Sequence, residues 1–185
     1  MLLRATTLLV FLLPACSVLL GAEPTGVWLD VPFVKQEKEG CGAASVAMLM
    51  QYWLQQQGKA PTESADAANI LKKLHSIQGK GIFVSDLERY LHQQGFETFA
   101  FAGNWESVGK HLHKGRPLIV ATQEGGINEP LHYVVMTGID PGRRLISVND
   151  PARRKLLKWD RATFEKQWSA AGYWTLLVVP QHLER

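Results

Sequence analysis

Three side chains in this sequence have the types needed to build a thiol nucleophile. Cys41 lies in the stretch Gln36 to Ala44 (QEKEGCGAA), directly before an apolar run. That run reads as a helix from about Gly42 to Gln57, stopped at Gly58. A helix N-terminus carries partial positive charge from unpaired backbone N–H groups. A thiol placed there ionises more easily, and the thiolate is the reactive form. Gly40 and Gly42 are expected to let the backbone turn sharply and leave the sulfur accessible. The competing reading is a buried cysteine acting as a small apolar residue.

A cysteine nucleophile needs a base, and the base needs an orienting acceptor. His132 opens the run HYVVMTG, and Asp150 closes the run RLISV. Asp140-Pro141-Gly142 between them is a turn sequence. Counting nine residues back from Pro141 reaches His132, and eight forward from Gly142 reaches Asp150. In an antiparallel hairpin the two side chains can therefore be neighbours on one face. Asn149 and Asp150 point to opposite faces if both are extended, so only one can serve. A carboxylate at Nδ1 of His132 would fix the tautomer and stabilise the imidazolium. Gln36, five residues before Cys41, could lend its side-chain amide to a developing oxyanion, with the Cys41 backbone N–H as second donor.

Those residues need a scaffold. Gly26 to Phe33 reads as a short opening strand. The Cys41 helix is apolar nearly all round and should be central and buried. Further helices are expected from Thr62 to Leu74, Leu87 to Gln94, Trp105 to Lys114 and Asp160 to Trp168. Strands are expected over Phe96 to Ala102, Pro117 to Thr122, His132 to Gly138, Arg144 to Val148, Lys155 to Trp159 and Tyr173 to Val179. The fold class is α+β, with a mostly helical first half and a mostly antiparallel second half. The six tryptophans read as core and cleft-wall residues.

Met1 to Arg4 and the apolar Ala5 to Leu13 have the form of an export leader. Two cleavage readings compete. Leu13-Pro14-Ala15-Cys16 resembles a lipobox, in which Cys16 would carry a lipid and anchor the protein to a membrane. Leu20-Gly21-Ala22 resembles an ordinary cleavage site, leaving residues 23–185 as a single domain. On either reading Cys41 is the one thiol left to the mature domain, a flag for reactivity in an exported protein.

The net charge is only +3, and no dense basic helix appears, which argues against nucleic acid as a partner. Arg143, Arg144, Arg153, Arg154, Lys155 and Lys158 read as solvated turn charge around the hairpin. His111 and His113 would face different sides of their helix, and His75 and His92 stand alone, so no metal centre is expected. The thiol chemistry requires no cofactor.

VPFVKQEKEGCGAASVAMLMQYW, followed by LHYVVMTGID and ISVNDPA, resembles the bacteriocin-processing cysteine peptidases (cysteine peptidase family thirty-nine) and their exported relatives. The likeness runs from about Val31 to Ala152 with the motifs in order. It implies a papain-like fold, Cys41 as nucleophile, His132 as general base and acid, Asp150 as orienter and Gln36 in the oxyanion hole. Many members place the glutamine six positions before the cysteine rather than five, and many have a polar residue where Gly40 stands. The transporter-linked members cut cytosolic leader peptides, whereas the leader here points outward, so their double-glycine preference does not carry over. The expectation is an exported or lipid-anchored thiol hydrolase acting on a peptide or protein. An acyl transferase using the same residues and a non-catalytic peptide-binding module are the alternatives.

Overall fold

The computed structural model describes residues 26–124 and 130–182. The leader, Cys16 and both cleavage readings lie outside the described residues, as does most of the loop before His132.

The element order is β1 (Val27–Trp28), α1 (Cys41–Gln56), a 3-10 turn (Glu63–Ala65), α2 (Ala67–Leu74), α3 (Val84–Gln93), β2 (Phe96–Ala102), α4 (Trp105–His113), β3 (Leu118–Thr122), β4 (His132–Asp140), β5 (Leu145–Asn149), β6 (Leu157–Asp160), α5 (Arg161–Ala170) and β7 (Trp174–Pro180). One antiparallel sheet runs β2-β7-β3-β4-β5-β6, and β1 pairs with β4.

The fold is α+β, with the Cys41 helix packed on an antiparallel sheet. Helices cover both faces of that sheet. β3 shows why: all five of its residues are buried, the pattern of a strand without a wet face. Ile119 and Ala121 point toward α1, with Val46, Ala47 and Met48. Leu118 and Val120 point the other way, toward Val108 of α4 and Phe164 and Trp168 of α5. Ala43, Ala44 and Ala47 let α1 lie close to the sheet, and all three are 0–1 % exposed. The helix closes at Gly58, with φ 66. There the Gly58 N–H donates to the Gln55 carbonyl and the Lys59 N–H to that of Leu54, a glycine C-cap.

Three elements differ from expectation. The opening strand has only two paired residues; the chain beyond is held by scattered backbone bonds from Leu29 and Gln36 and by the Asn149 side chain. The Thr62 helix start is a 3-10 turn, and α2 is capped separately by Asp66, which accepts from the Asn69 N–H at 2.9 Å. α3 already begins at Val84, so Ser85 and Asp86 are not caps but lie in its first turn. Of the tryptophans, Trp28 is exposed rather than core.

Candidate active site

α1 delivers Cys41 as its first residue, half-buried and free. The sharp turn before it is made by Glu39, whose φ is 58, not by the glycines. Gly40 is needed for space: a Cβ there would stand 3.0 Å from the Glu37 carbonyl oxygen. Ser45, one helical turn on and fully buried, donates its hydroxyl to the Tyr133 carbonyl at 3.2 Å. That bond ties α1 to the strand residue beside His132.

The β4–β5 hairpin delivers the other two. From the turn it pairs Asp140 with Leu145, Ile139 with Ile146 and Gly138 with Ser147. Continued unchanged, this register would set Asp150 opposite Val135 and put His132 on the other face. A bulge between Met136 and Gly138 intervenes, so Val135 meets Asn149 instead. A shift of one residue exchanges faces. Asp150 thus joins the face of Val134 and His132, and His132 Nε2 lies 2.8 Å from Asp150 Oδ1. The bulged Thr137 is not orphaned: its carbonyl accepts from the Leu29 N–H at 2.8 Å, and its hydroxyl donates to the Ser147 carbonyl at 3.1 Å.

The carboxylate therefore holds Nε2 rather than the expected Nδ1. Nδ1 is left for the Cys41 sulfur, and the ring and the thiol each shift the other's ionisation. Burial by itself would raise the thiol pKa. The hydrogen bond to His132, backbone hydrogen bonding at Tyr133 and the His132 charge outweigh it, and the thiol is held below its ordinary value. Burial would likewise lower the His132 pKa, but its bonds to Asp150 and Cys41 win and push it up to about 9. Asp150 is 1 % exposed. Burial disfavours its charge, yet the bond to His132, the Ala152 N–H and the nearby Arg153 hold it below the usual carboxylate range. Each shift favours the charged form of its group, with the Asp150 carboxylate beside the ring. Neighbouring Tyr133 is pushed up to about 12, by burial and then by the Cys41 charge.

The segment between β1 and α1 is stitched to the same hairpin end. Asn149, fully buried on the opposite face from Asp150, donates to the Val31 carbonyl at 3.0 Å and accepts from the Leu156 N–H at 3.0 Å. The Gln36 N–H donates to the Pro151 carbonyl at 3.0 Å. The Gln36 side-chain oxygen is buried without a partner among the described residues. Glutamine, cysteine, histidine and aspartate are thus gathered at one end of the hairpin.

The basic cluster does not form one patch. Arg143 pairs with Asp140 at 3.8 Å and Lys155 with Asp30 at 2.7 Å. Arg153 lies 3.4 Å from Asp150 Oδ2, so reading it as solvated turn charge missed a partner of the site. The signal was its spacing, three residues after the aspartate in an Asp-Pro turn. Ser45 was also missed; its signal was a serine inside the apolar first half of the helix. The other histidines serve elsewhere: His75 meets Glu39 at 2.8 Å, and His92 meets the Thr98 hydroxyl at 3.2 Å. Among the described residues, no group of three or more His, Cys, Asp or Glu side chains could hold a metal ion.

Comparison with known proteins places this geometry. Residues 28–176 match the model of the Peptidase_C39 like family. No protein of curated function matches the sequence. A solved structure from Bacillus anthracis, described as a C39-like peptidase, is similar at TM-score 0.64 and 18 % identity, over 85 % of this chain and 99 % of that one. A double-glycine-motif protease from an AMS/PCAT transporter, solved with the leader peptide, is similar at TM-score 0.59 and 20 % identity, over 83 % and 94 %. Xylellain, a cysteine protease from Xylella fastidiosa, is similar at TM-score 0.63 and 14 % identity, over 85 % and 86 %. At these identities the structural likenesses carry the fold, and the family match carries the membership. The chain belongs to the Peptidase_C39 like family and is a cysteine peptidase of papain-like fold.

Proposed function

We propose that this chain cleaves peptide bonds through a triad of Cys41, His132 and Asp150. The Cys41 thiolate attacks the scissile carbonyl, and the carbonyl π electrons move onto oxygen. The Gln36 side-chain amide and the Cys41 backbone N–H donate to that oxyanion. The tetrahedral intermediate collapses to a thioester as His132 gives its proton to the leaving amine. Water then attacks the thioester, with His132 taking its proton, and the acid product leaves Cys41. Asp150 keeps the ring oriented and its positive charge stabilised throughout.

One observation carries this reading: a single imidazole is held by a buried carboxylate at 2.8 Å and lies close enough to the thiol at the head of α1 for each to shift the other toward its charged form. The leader peptide bound to the transporter protease supports a peptide as substrate class here. Export, with or without a lipid on Cys16, belongs to the same proposal and rests on the leader sequence alone. Palmitate labelling with a Cys16→Ala control tests the lipid.

The test of the activity is cleavage of a peptide library by the wild type and by Cys41→Ala. New termini appear with the wild type and are absent with the variant. Equal cleavage by both, or none by a folded wild type, overturns the reading. Product masses in the presence of a competing amine separate hydrolysis from acyl transfer.

A further inference from the structure

Asp150 is buried with two carboxylate oxygens to satisfy, and His132 uses only one. Oδ1 takes the His132 Nε2 at 2.8 Å and the Ala152 N–H at 3.0 Å. Oδ2 faces Arg153 Nε at 3.4 Å. Arg153 is itself held. Its Nη2 donates to Glu124 Oε1 at 3.1 Å, and its guanidinium carbon lies 5.6 Å from the centroid of the Trp159 ring. The same Glu124 oxygen accepts from Gln167 Nε2 of α5 at 3.0 Å. Glu124, Arg153, Trp159 and Gln167 close around His132 and Asp150 in a hollow of about 60 Å³.

We infer that Arg153, held by Glu124, is a positioning residue that fixes the rotation of the Asp150 carboxylate and through it the His132 ring. The inference rests on the triad reading. The arrangement is poorly suited to stabilising the fold, because the Arg153 and Glu124 side chains are 51 % and 62 % exposed, and exposed ion pairs contribute little. It is well suited to orientation. A carboxylate fixed through one oxygen alone can swing about its own bond. A second contact from a planar guanidinium, itself held over an indole, removes that freedom. The register supports the same division of labour. The hairpin's bulge chooses the face for Asp150, and Arg153, three residues on, sets the angle at which the carboxylate meets the ring. A misplacement of about 1 Å at a reacting centre can cost about a hundredfold in rate.

The test is alkylation of Cys41 in the full chain by iodoacetamide across pH, followed on the Cys41-containing peptide by mass spectrometry. The variants are Arg153→Met, Glu124→Gln, the double variant and His132→Ala. Arg153→Met keeps the stem over Trp159 and removes the charge and donors. Its reactivity midpoint moves up toward an ordinary thiol's, roughly 8.5, and alkylation at neutral pH slows about tenfold or more. Glu124→Gln moves it the same way by less. The double variant matches Arg153→Met, because Glu124 acts through Arg153. Glu124 is exposed, so its variant reports even if Arg153→Met folds poorly. An Arg153→Met or Glu124→Gln profile that superimposes on the wild type, while that of His132→Ala is displaced, overturns the clamp alone. Additive effects in the double variant also overturn it. If the His132→Ala profile superimposes as well, the triad reading fails and the clamp with it.

Discussion

The two faces of the sheet are built from different materials. The α1 face is packed with small and flexible residues, Ala43, Ala47 and Met48, so that a helix can lie almost flush on the strands. The α4/α5 face is packed with rings. Trp168 makes edge contacts with Trp105 and Tyr173, both at 5.2 Å, and Trp159 with Phe164 at 5.8 Å. The site draws on both. Cys41 comes from the close-packed face, while His132 and Asp150 border the hollow on the aromatic face where Trp159 and Gln167 stand. On the proposed triad, the difference teaches that the α1 layer supplies the nucleophile and the α4/α5 layer the aim of its base. They meet only where the sheet ends, so each can be damaged separately.

The largest effect is expected where the faces meet. His132→Ala should lower kcat by at least about 10²–10⁴-fold while far-ultraviolet circular dichroism stays native; Tm should fall as well, because the variant leaves the buried Asp150 carboxylate without its partner. Trp168→Ala tests the aromatic face. It removes a fully buried side chain and should cost about 3–5 kcal/mol in denaturant unfolding, with activity per folded molecule changed far less. Gly138→Ala probes the bulge: the new Cβ would sit 2.5 Å from the Val27 carbonyl oxygen. β1 must shift, at about 1–3 kcal/mol, read as a lower urea midpoint. Arg143→Ala, at the far turn of the same hairpin, should change stability by less than about 0.5 kcal/mol and leave kcat/KM unaltered.

Much of this was legible in the residues themselves. The Cys41 helix showed because an unbroken apolar run bounded by glycines leaves few alternatives. The hairpin showed because Asp140-Pro141-Gly142 is turn chemistry between two β-branched runs, and it brought His132 and Asp150 within reach. The bulge did not show. It depends on Leu29 and β1 docking against Thr137 and Gly138, contacts between segments far apart in sequence. For the same reason the place of β7 between β2 and β3 was hidden. Arg153 was misread because composition cannot tell that the carboxylate three residues earlier is buried and needs a partner. Which ring nitrogen meets Asp150 is likewise a matter of approach direction, which no spacing encodes.

The ionisation of the pair has a definite pH signature. A His132 pKa raised above its ordinary 6.5 adds stability at low pH that is lost as pH rises through about 9. The lowered Cys41 pKa acts oppositely: its contribution is present at high pH and lost as pH falls through the folded value. Activity needs both charges, so kcat/KM should be bell-shaped with its alkaline limb near 9.

The most direct test is an NMR titration of the His132 ring in the wild type and in Cys41→Ala. The account predicts an imidazolium that persists through neutral pH and titrates near 9 in the wild type, and a lower midpoint once the sulfur is gone. A wild-type midpoint at the ordinary value of roughly 6.5, unmoved by loss of the thiol, would contradict it.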